Sequence, residues 1–424
     1  MPLADHPQRY ALANELHARP FPAVAAPSRA VYLALKPAQD AARRDRAADL
    51  AHLTALLDRY GAPHPRPEDT HWFGDLGRFR LKWESHTEFV TYTLFASGEG
   101  ERPFDPLLFD EFPADWLAAA PGARITSALI RVETQAGDDG IGARVDDWFS
   151  AESLAMSRVL DDALVVASDF RIDSAGHMRL ALWARPGTGE RRIGRVVQRL
   201  CEIETYKAMS MLGFSRARAM GPQIGALDGQ VTALVEDMSG ERDRPDETLH
   251  RLLGISAEVE GLIARSAFRF GATRAYERLV HDRIKVLREE RFEGRQTFAE
   301  FMLRRYDPAM RTVTATEAQL QALSGRAIRA GDLLRTRVDV DRSAQNQLLL
   351  SSMDRRADLQ LRLQHTVEGL SVVAISYYAL GLVMYLLKPF GHALHVDDLW
   401  LGAAVVPLVV LGVWLALRRI RRHL

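Results

Sequence analysis

The sequence predicts an α+β N-terminal domain, followed by long α-helices and a C-terminal two-helix transmembrane hairpin. Three observations point to it. Up to about Arg185 the chain is broken by prolines and glycines and carries alternating apolar and polar runs, the period of half-buried strands. After Gly187-Thr188-Gly189 the texture changes to long stretches with apolar residues three and four apart, the period of amphipathic helices. Two runs, Gly369 to Leu387 and Leu399 to Leu417, hold no charged side chain, and each is long enough to cross a bilayer as a helix, which takes roughly 20 residues. The corresponding segments are 1–186 for the α+β domain, 187–365 for the long-helix, coiled-coil-like domain and 366–424 for the hairpin with its basic tail.

In the first segment Ala30 to Leu35 reads as a strand and Ala38 to Tyr60 as a helix. Phe79, Leu81 and Trp83 alternate with Arg80, Lys82 and Glu84, and Phe89 to Phe95 is rich in aromatic and β-branched residues. These make a hairpin or two adjacent strands with one polar face. Ile125 to Val132 adds a strand, and Ala163 to Arg171 with His177 to Ala184 makes a second hairpin across Asp173-Ser174-Ala175-Gly176. The sheet is expected to be antiparallel.

Helices fill the second segment. Glu190 to Met220 is expected to end at Gly221-Pro222, with the pattern resuming to Met238 and stopping at Ser239-Gly240 before Pro245. Glu247 to Tyr306 carries Leu252, Ile255, Val259, Leu262 and Ile263 at helical spacing and is expected to end at Asp307-Pro308. No proline occurs from Ala309 to Lys388, and an unbroken helix of that length would span roughly 120 Å, serving as both stalk and first span. Leu320, Ala327, Leu334 and Leu348 fall on a seven-residue spacing with Asp341 at the intervening position. Such a seam pairs helices within a chain or between subunits, the polar position setting register; a plain antiparallel helical neighbour explains it equally.

Charge then orients the hairpin. Arg355, Arg356 and Arg362 precede the first run and Arg418, Arg419, Arg421 and Arg422 follow the second, whereas the loop between them has only Lys388 as a strong cation beside Asp397 and Asp398. By the positive-inside rule both ends of the chain are cytoplasmic and the loop is outside. Met1 to Pro20 holds Asp5, Arg9, Glu15 and Arg19 with no apolar core, so no cleaved signal peptide is expected and targeting falls to the hairpin. The 55 basic and 55 acidic residues balance to zero formal charge, which argues against a nucleic-acid binder. The single cysteine, Cys201, excludes an intrachain disulfide, fits a reducing compartment, and reads as a small packing residue in the helical stretch Arg195 to Met209.

Two clusters can carry chemistry. In Trp83-Glu84-Ser85-His86-Thr87-Glu88-Phe89, an extended backbone would put Glu84, His86 and Glu88 on one face. Two carboxylates around an imidazole can hold a divalent metal or work as an acid/base pair, with His17 and His71 as further ligands; the alternative is a solvated or salt-bridged strand face. In Asn14-Glu15-Leu16-His17-Ala18-Arg19-Pro20-Phe21, the prolines at 20 and 22 hold the preceding chain extended. There Glu15, His17 and Arg19 form a second candidate, whose plainer reading is an ion pair that anchors the N-terminus. Within the first span Ser371, Tyr378 and Tyr385 recur every seven residues; such a hydroxyl face lines a pore or bonds a neighbouring helix. The sequence holds no Gly-Lys-Ser/Thr phosphate loop, no His-Glu-x-x-His, no paired Cys-x-x-Cys and no Gly-x-Ser-x-Gly elbow.

The strings Asn14 to Phe21, Trp83 to Phe89, Glu202-Ile-Glu-Thr-Tyr206, Arg335-Thr-Arg-Val-Asp-Val340 and Thr366 to Tyr378 resemble the signatures of a family of uncharacterised bacterial membrane-anchored proteins, classed as a domain of unknown function. The resemblance covers nearly the whole chain and implies placement in a bacterial inner membrane, without an assigned activity. The order of elements also looks like that of CorA-type magnesium transporters, but Lys388-Pro389-Phe390-Gly391-His392 stands where those carry Gly-Met-Asn. The leading expectation is a non-enzymatic, membrane-anchored scaffold that binds a protein partner or its own copies. The alternatives are a CorA-like oligomeric channel or transporter and, below it, a membrane-tethered metal-dependent enzyme.

Overall fold

The computed structural model describes residues 3, 5–15, 21–38, 44–237, 245–394 and 398–421. Its elements run α1 (Arg9–Glu15), β1 (Ser28–Lys36), α2 (Arg46–Arg59), β2 (His71–Leu76), β3 (Phe79–Ser85), β4 (Val90–Ser97), α3 (Ala114–Ala118), β5 (Ala123–Thr134), α4 (Ile141–Trp148), β6 (Ala155–Val159), β7 (Leu164–Ser168) and β8 (Met178–Ala184). There follow α5 (Glu190–Asp237), α6 (Pro245–Lys285), β9 (Glu290–Arg291), α7 (Phe298–Phe301), α8 (Asp307–Leu394) and α9 (Asp398–Arg421). They form two compact units, Met1–Gly240 with His250–Ala330, and Glu241–Leu249 with Gly331–Leu424.

In the first unit the described strands form one sheet in the order β2-β3-β4-β1-β5-β8-β7-β6-β9. Neighbours are antiparallel except β5 and β8, which pair in parallel from Ala128↔Met178 to Thr134↔Ala184. The sheet is therefore mixed and not purely antiparallel. A parallel pair needs a long crossover, and α4 with the β6–β7 hairpin supplies it. The sequence expectation missed β2, β6 and β9: β2 contains Gly74 and Asp75, β6 has five residues and β9 two, too little β signal to read locally.

Both faces of the sheet are covered. On one, Phe95, Ile130, Leu180 and Leu182 pack with Ile193, Val196, Val197 and Leu200 of α5 and Val280 and Ile284 of α6. On the other, Leu33, Leu81, Trp83 and Leu94 pack with Leu53, Leu56 and Leu57 of α2, while Val165 and Trp183 pack with Ile141 and Val145 of α4. A sheet covered twice loses the apolar/polar alternation, and β7 is buried at every residue. The polar face expected of the β3–β4 hairpin is thus an interior surface. α5, α6 and the start of α8 share the sheet's core, and Pro186 to Gly189 is a turn within this unit.

Several helix boundaries differ from the sequence expectation: α2 starts at Arg46, capped by Asp45, and not at Ala38, and α8 runs past Pro389 to Leu394. α5 runs through Gly221-Pro222 to Asp237. Pro222 lies on the exposed side, where the carbonyl that loses its partner four residues earlier can bond water. α6 ends at Lys285, and residues 286–297 leave the helix. A capping box at Thr297 opens the next turn: the Glu300 N–H donates to the Thr297 hydroxyl at 3.2 Å and the Thr297 N–H to the Glu300 carboxylate at 3.1 Å. A π-helical turn, Met302–Tyr306, leads into α8. Pro308 follows this turn in a helix that continues unbroken from Phe298, so the proline that the sequence expectation took as a stop lies inside the helix, directly after the π-helical turn.

α5, α6 and α8 are joined by side-chain bonds. The Gln223 amide donates to Glu258 at 2.6 Å, the Ser324 hydroxyl to Glu260 at 2.6 Å, and Arg326 pairs with Asp228. Ile224, Leu227 and Val231, Ile255, Val259 and Leu262, and Leu320, Leu323, Ala327 and Ala330 are buried along these helices. The seam positions Leu320 and Ala327 are therefore covered within the chain. α5 also meets the segment before β1 at close range: the Val24 N–H donates to the Glu190 carbonyl at 3.0 Å, and a Cβ on Gly194 would lie 1.8 Å from the Pro22 carbonyl oxygen. Gly194→Ala is accordingly expected to destabilise the protein by about 1–3 kcal/mol, the usual range for overpacking, seen as a lower thermal midpoint. An unchanged midpoint would mean that this approach is not maintained.

In the second unit Leu334 and Val338 are buried, whereas every residue from 339 to 367 is exposed, Leu348 and Asp341 included. The seven-residue seam therefore stops short of Leu348. Two helical stretches are long and apolar enough to cross a membrane: the part of α8 ending at Leu387, with a mean hydropathy of 2.0, and Leu399–Arg419, with 2.3. They form a hairpin. Val372, Ser376 and Leu380 face Val406 and Val410, and Met384 lies 3.9 Å from where a Gly402 Cβ would be, so the register runs antiparallel.

Candidate functional site

A buried polar constellation lies where the β3–β4 hairpin meets α5 and α6. Lys82 and Glu84 are two residues apart on β3 and so share a face; Gln198 and Glu202, one turn apart on α5, share another. The Lys82 ammonium is 3.0 Å from the Glu84 carboxylate and donates to the Gln198 side-chain carbonyl at 2.6 Å. The Gln198 amide in turn donates to Glu202 at 2.8 Å, and Arg283 near the end of α6 pairs with Glu202. The result is a chain of alternating sign, Glu84, Lys82, Gln198, Glu202 and Arg283, with no net charge. Tyr32 and Thr205 hydroxyls meet beside it at 2.6 Å. Tyr32, Lys82, Glu84, Gln198, Glu202 and Thr205 line a narrow pocket of about 20 Å³.

Glu88, in the turn between β3 and β4, has its own partners. The Tyr276 phenol of α6 donates to its carboxylate at 3.0 Å, and Arg269 pairs with it. Burial, and then the facing Glu88 carboxylate, hold the Tyr276 phenol protonated well beyond its ordinary range. Phe89, Tyr206 and Tyr276 pack around this corner, with Tyr206 stacked on Tyr276 at 5.7 Å between ring centres. Cys201 is buried next to the pocket, and burial pushes its thiol up, away from the reactive thiolate. It is the packing residue that its surroundings in the sequence indicate.

The structure separates the three residues that the sequence places on one strand face. β3 ends at Ser85, and the His86 N–H donates to the Phe89 carbonyl at 2.9 Å, so the chain turns before Glu88. Glu84 goes to Lys82 and Glu88 to Arg269, while the His86 ring stacks on Phe89 at 4.4 Å. His71 stands directly opposite Glu84 in the β2–β3 register. Among the described residues no group of three or more His, Cys, Asp or Glu side chains is placed to hold a metal ion. The face is also not solvated: Lys82, Glu84 and Glu88 are 4 %, 7 % and 1 % exposed. The salt-bridged alternative describes it, with the bridges inside.

Of the other candidates, Glu15 closes α1, and its side chain lies outside the described residues, as do His17 and Arg19. Tyr378 and Tyr385 are exposed, and the Ser371 hydroxyl donates to the Val367 carbonyl at 2.8 Å. This hydroxyl face points away from α9, which packs on the side of Val372, Ser376 and Leu380. Sequence reasoning missed Gln198, Glu202, Arg269, Tyr276 and Arg283. A usable signal existed for the first two, since Gln198 and Glu202 interrupt the apolar stripe of Val197, Leu200, Cys201 and Ile203. Nothing local marks the residues of α6, whose partners are about 80 or more positions away.

No curated protein and no solved structure matches the chain, so the CorA-like order of elements has no support from these comparisons. A family model does match, over residues 4–424. It agrees with the resemblance read from the sequence strings, and the chain belongs to the family described as "Protein of unknown function (DUF3422)".

Proposed function

We propose that this protein is a membrane-anchored scaffold: its two C-terminal helices sit in a bacterial inner membrane, and its soluble part stands on the cytosolic side, where it organises a protein assembly without chemistry of its own. The observation that carries this reading is the stretch 339–367 of α8, exposed at every residue. It displays Leu348, Leu349, Met353, Leu359 and Leu363 beside a span that itself needs lipid. Exposed apolar surface of that extent marks a place where something binds. The polar pocket supports the same reading, because each of its carboxylates is matched by a cation and the network is built as a clasp between sheet and helices.

Membrane placement is tested first. A reporter fused after Leu424 is expected to be active in the cytoplasm, and one inserted between Gly391 and His395 outside. Deleting everything after Gln364 is expected to move the protein from the membrane pellet to the supernatant. A periplasmic C-terminal reporter would overturn the orientation, and a pellet-bound deletion would overturn the anchor.

A further inference from the structure

The two membrane-length helices of the second unit gather cations at one end of their hairpin. Gly402 lies opposite Met384, and Val406 and Val410 lie opposite Val372, Ser376 and Leu380. Both helices rise by the same step per residue, so this antiparallel register brings the end of α9, from Arg418 to Arg421, level with roughly residues 364–368 of α8. Arg362 is the last arginine of α8, and Arg418, Arg419, Arg421 and Arg422 follow the charge-free run of α9. Arg362, Arg418 and Arg419 are exposed. The Arg418 guanidinium lies over the ring of Trp414, 4.9 Å from its centre. An exposed tryptophan at the end of a span marks the interfacial belt, so this cation stands at headgroup depth. Asp358, 3.3 Å from Arg362, and Glu368 are the carboxylates nearby, with His365 between them in sequence. They offset the five arginines only in part. At the other end of the hairpin Lys388 stands with Asp397 and Asp398, so the positive surplus belongs to one rim alone.

We propose that this rim holds the phosphate groups of anionic phospholipids in the leaflet on its side of the membrane. The proposal rests on the anchored reading above and names the lipids that surround the anchor. Charge sign and depth select them. A cluster of four or more arginines directly beside a span is the pattern that gathers anionic lipids, and the planar guanidinium fork matches phosphate oxygens through two parallel N–H donors. The arginines begin at the residue after Leu417, where the run of α9 ends. The bilayer's own phosphates are therefore the anions within reach, whereas an acidic protein segment would have to enter the headgroup layer to meet them. A zwitterionic lipid brings a cation of its own beside the phosphate and competes poorly for the same arginines. The attraction acts between exposed charges, so salt weakens it.

The test uses the full-length protein, purified from membranes in a mild detergent and incubated with equal amounts of phosphatidylglycerol and phosphatidylcholine. Native mass spectrometry counts the lipids that stay bound; in detergent the direction of insertion plays no part. Phosphatidylglycerol is expected in several-fold excess over phosphatidylcholine. The triple substitution Arg418→Gln/Arg419→Gln/Arg421→Gln is expected to bring the two lipids close to parity, while Lys388→Gln at the other rim leaves the excess unchanged. Replacing the same three arginines by lysine is expected to keep most of it. Equal binding of the two lipids by the unsubstituted protein, or an excess that survives the triple glutamine variant, would overturn the proposal. Poly-glutamate that displaces phosphatidylglycerol at equal charge concentration would assign the arginines to an acidic protein and overturn it too. The fractions taken before solubilisation report the anchor separately: protein recovered from the pellet without a lipid preference removes only this proposal, whereas protein in the supernatant removes the anchored reading as well.

Discussion

Lys82→Met in the full-length, detergent-solubilised protein is expected to lower the free energy of unfolding by about 3–5 kcal/mol, the cost of stripping one partner from a buried ion pair. The ammonium lies 3.0 Å from Glu84 and also satisfies the Gln198 carbonyl at 2.6 Å, and both Lys82 and Glu84 are buried. Removing it leaves a carboxylate and an amide oxygen without a donor in a place water reaches poorly, and each unpaired group carries its own desolvation cost. The double substitution Lys82→Met/Glu84→Leu removes the charge that caused the loss and is expected to recover most of it, leaving the cost of the unpaired Gln198 oxygen. Urea unfolding followed by tryptophan fluorescence measures both, since Trp83 lies between the two residues. Equal losses in the single and double variants would show that Glu84 does not depend on Lys82.

Leu334→Asp should be the most damaging single change in α8. Leu334 is fully buried, and an unpaired carboxylate at such a position costs several kcal/mol. Arg326→Ala, on the same helix, removes an ion pair with Asp228 in which both side chains are about two-fifths exposed. It is expected to change stability by no more than about 0.5–1 kcal/mol, as exposed pairs do. Comparable thermal midpoints for the two variants would mean that position 334 is not held in the packed interior.

What the amino-acid order determined by itself was whatever depends on short-range pattern. The two charge-free runs announce their helices because a bilayer-length apolar segment needs no tertiary partner to be recognised. β1, β3, β4, β5 and the β7–β8 hairpin were legible from alternation and turn residues, and α8 from the absence of proline. The tertiary structure decided what depends on partners far along the chain. The direction of β8 against β5 follows from where α4 and the β6–β7 hairpin pack. Gly221-Pro222 failed to stop α5 because the helix is packed on both sides of the proline, and packing outweighs the loss of one backbone bond. The Glu84, His86 and Glu88 cluster was visible as a string of polar residues, but whether its face is solvated, salt-bridged or built to hold a metal was not: α5 and α6, more than 100 residues on, cover it and bring Gln198, Arg269, Tyr276 and Arg283 to its charges. Spacing in sequence reports which side chains share a face, and only the long-range packing settles whether that face meets water, a metal or the cation of another helix.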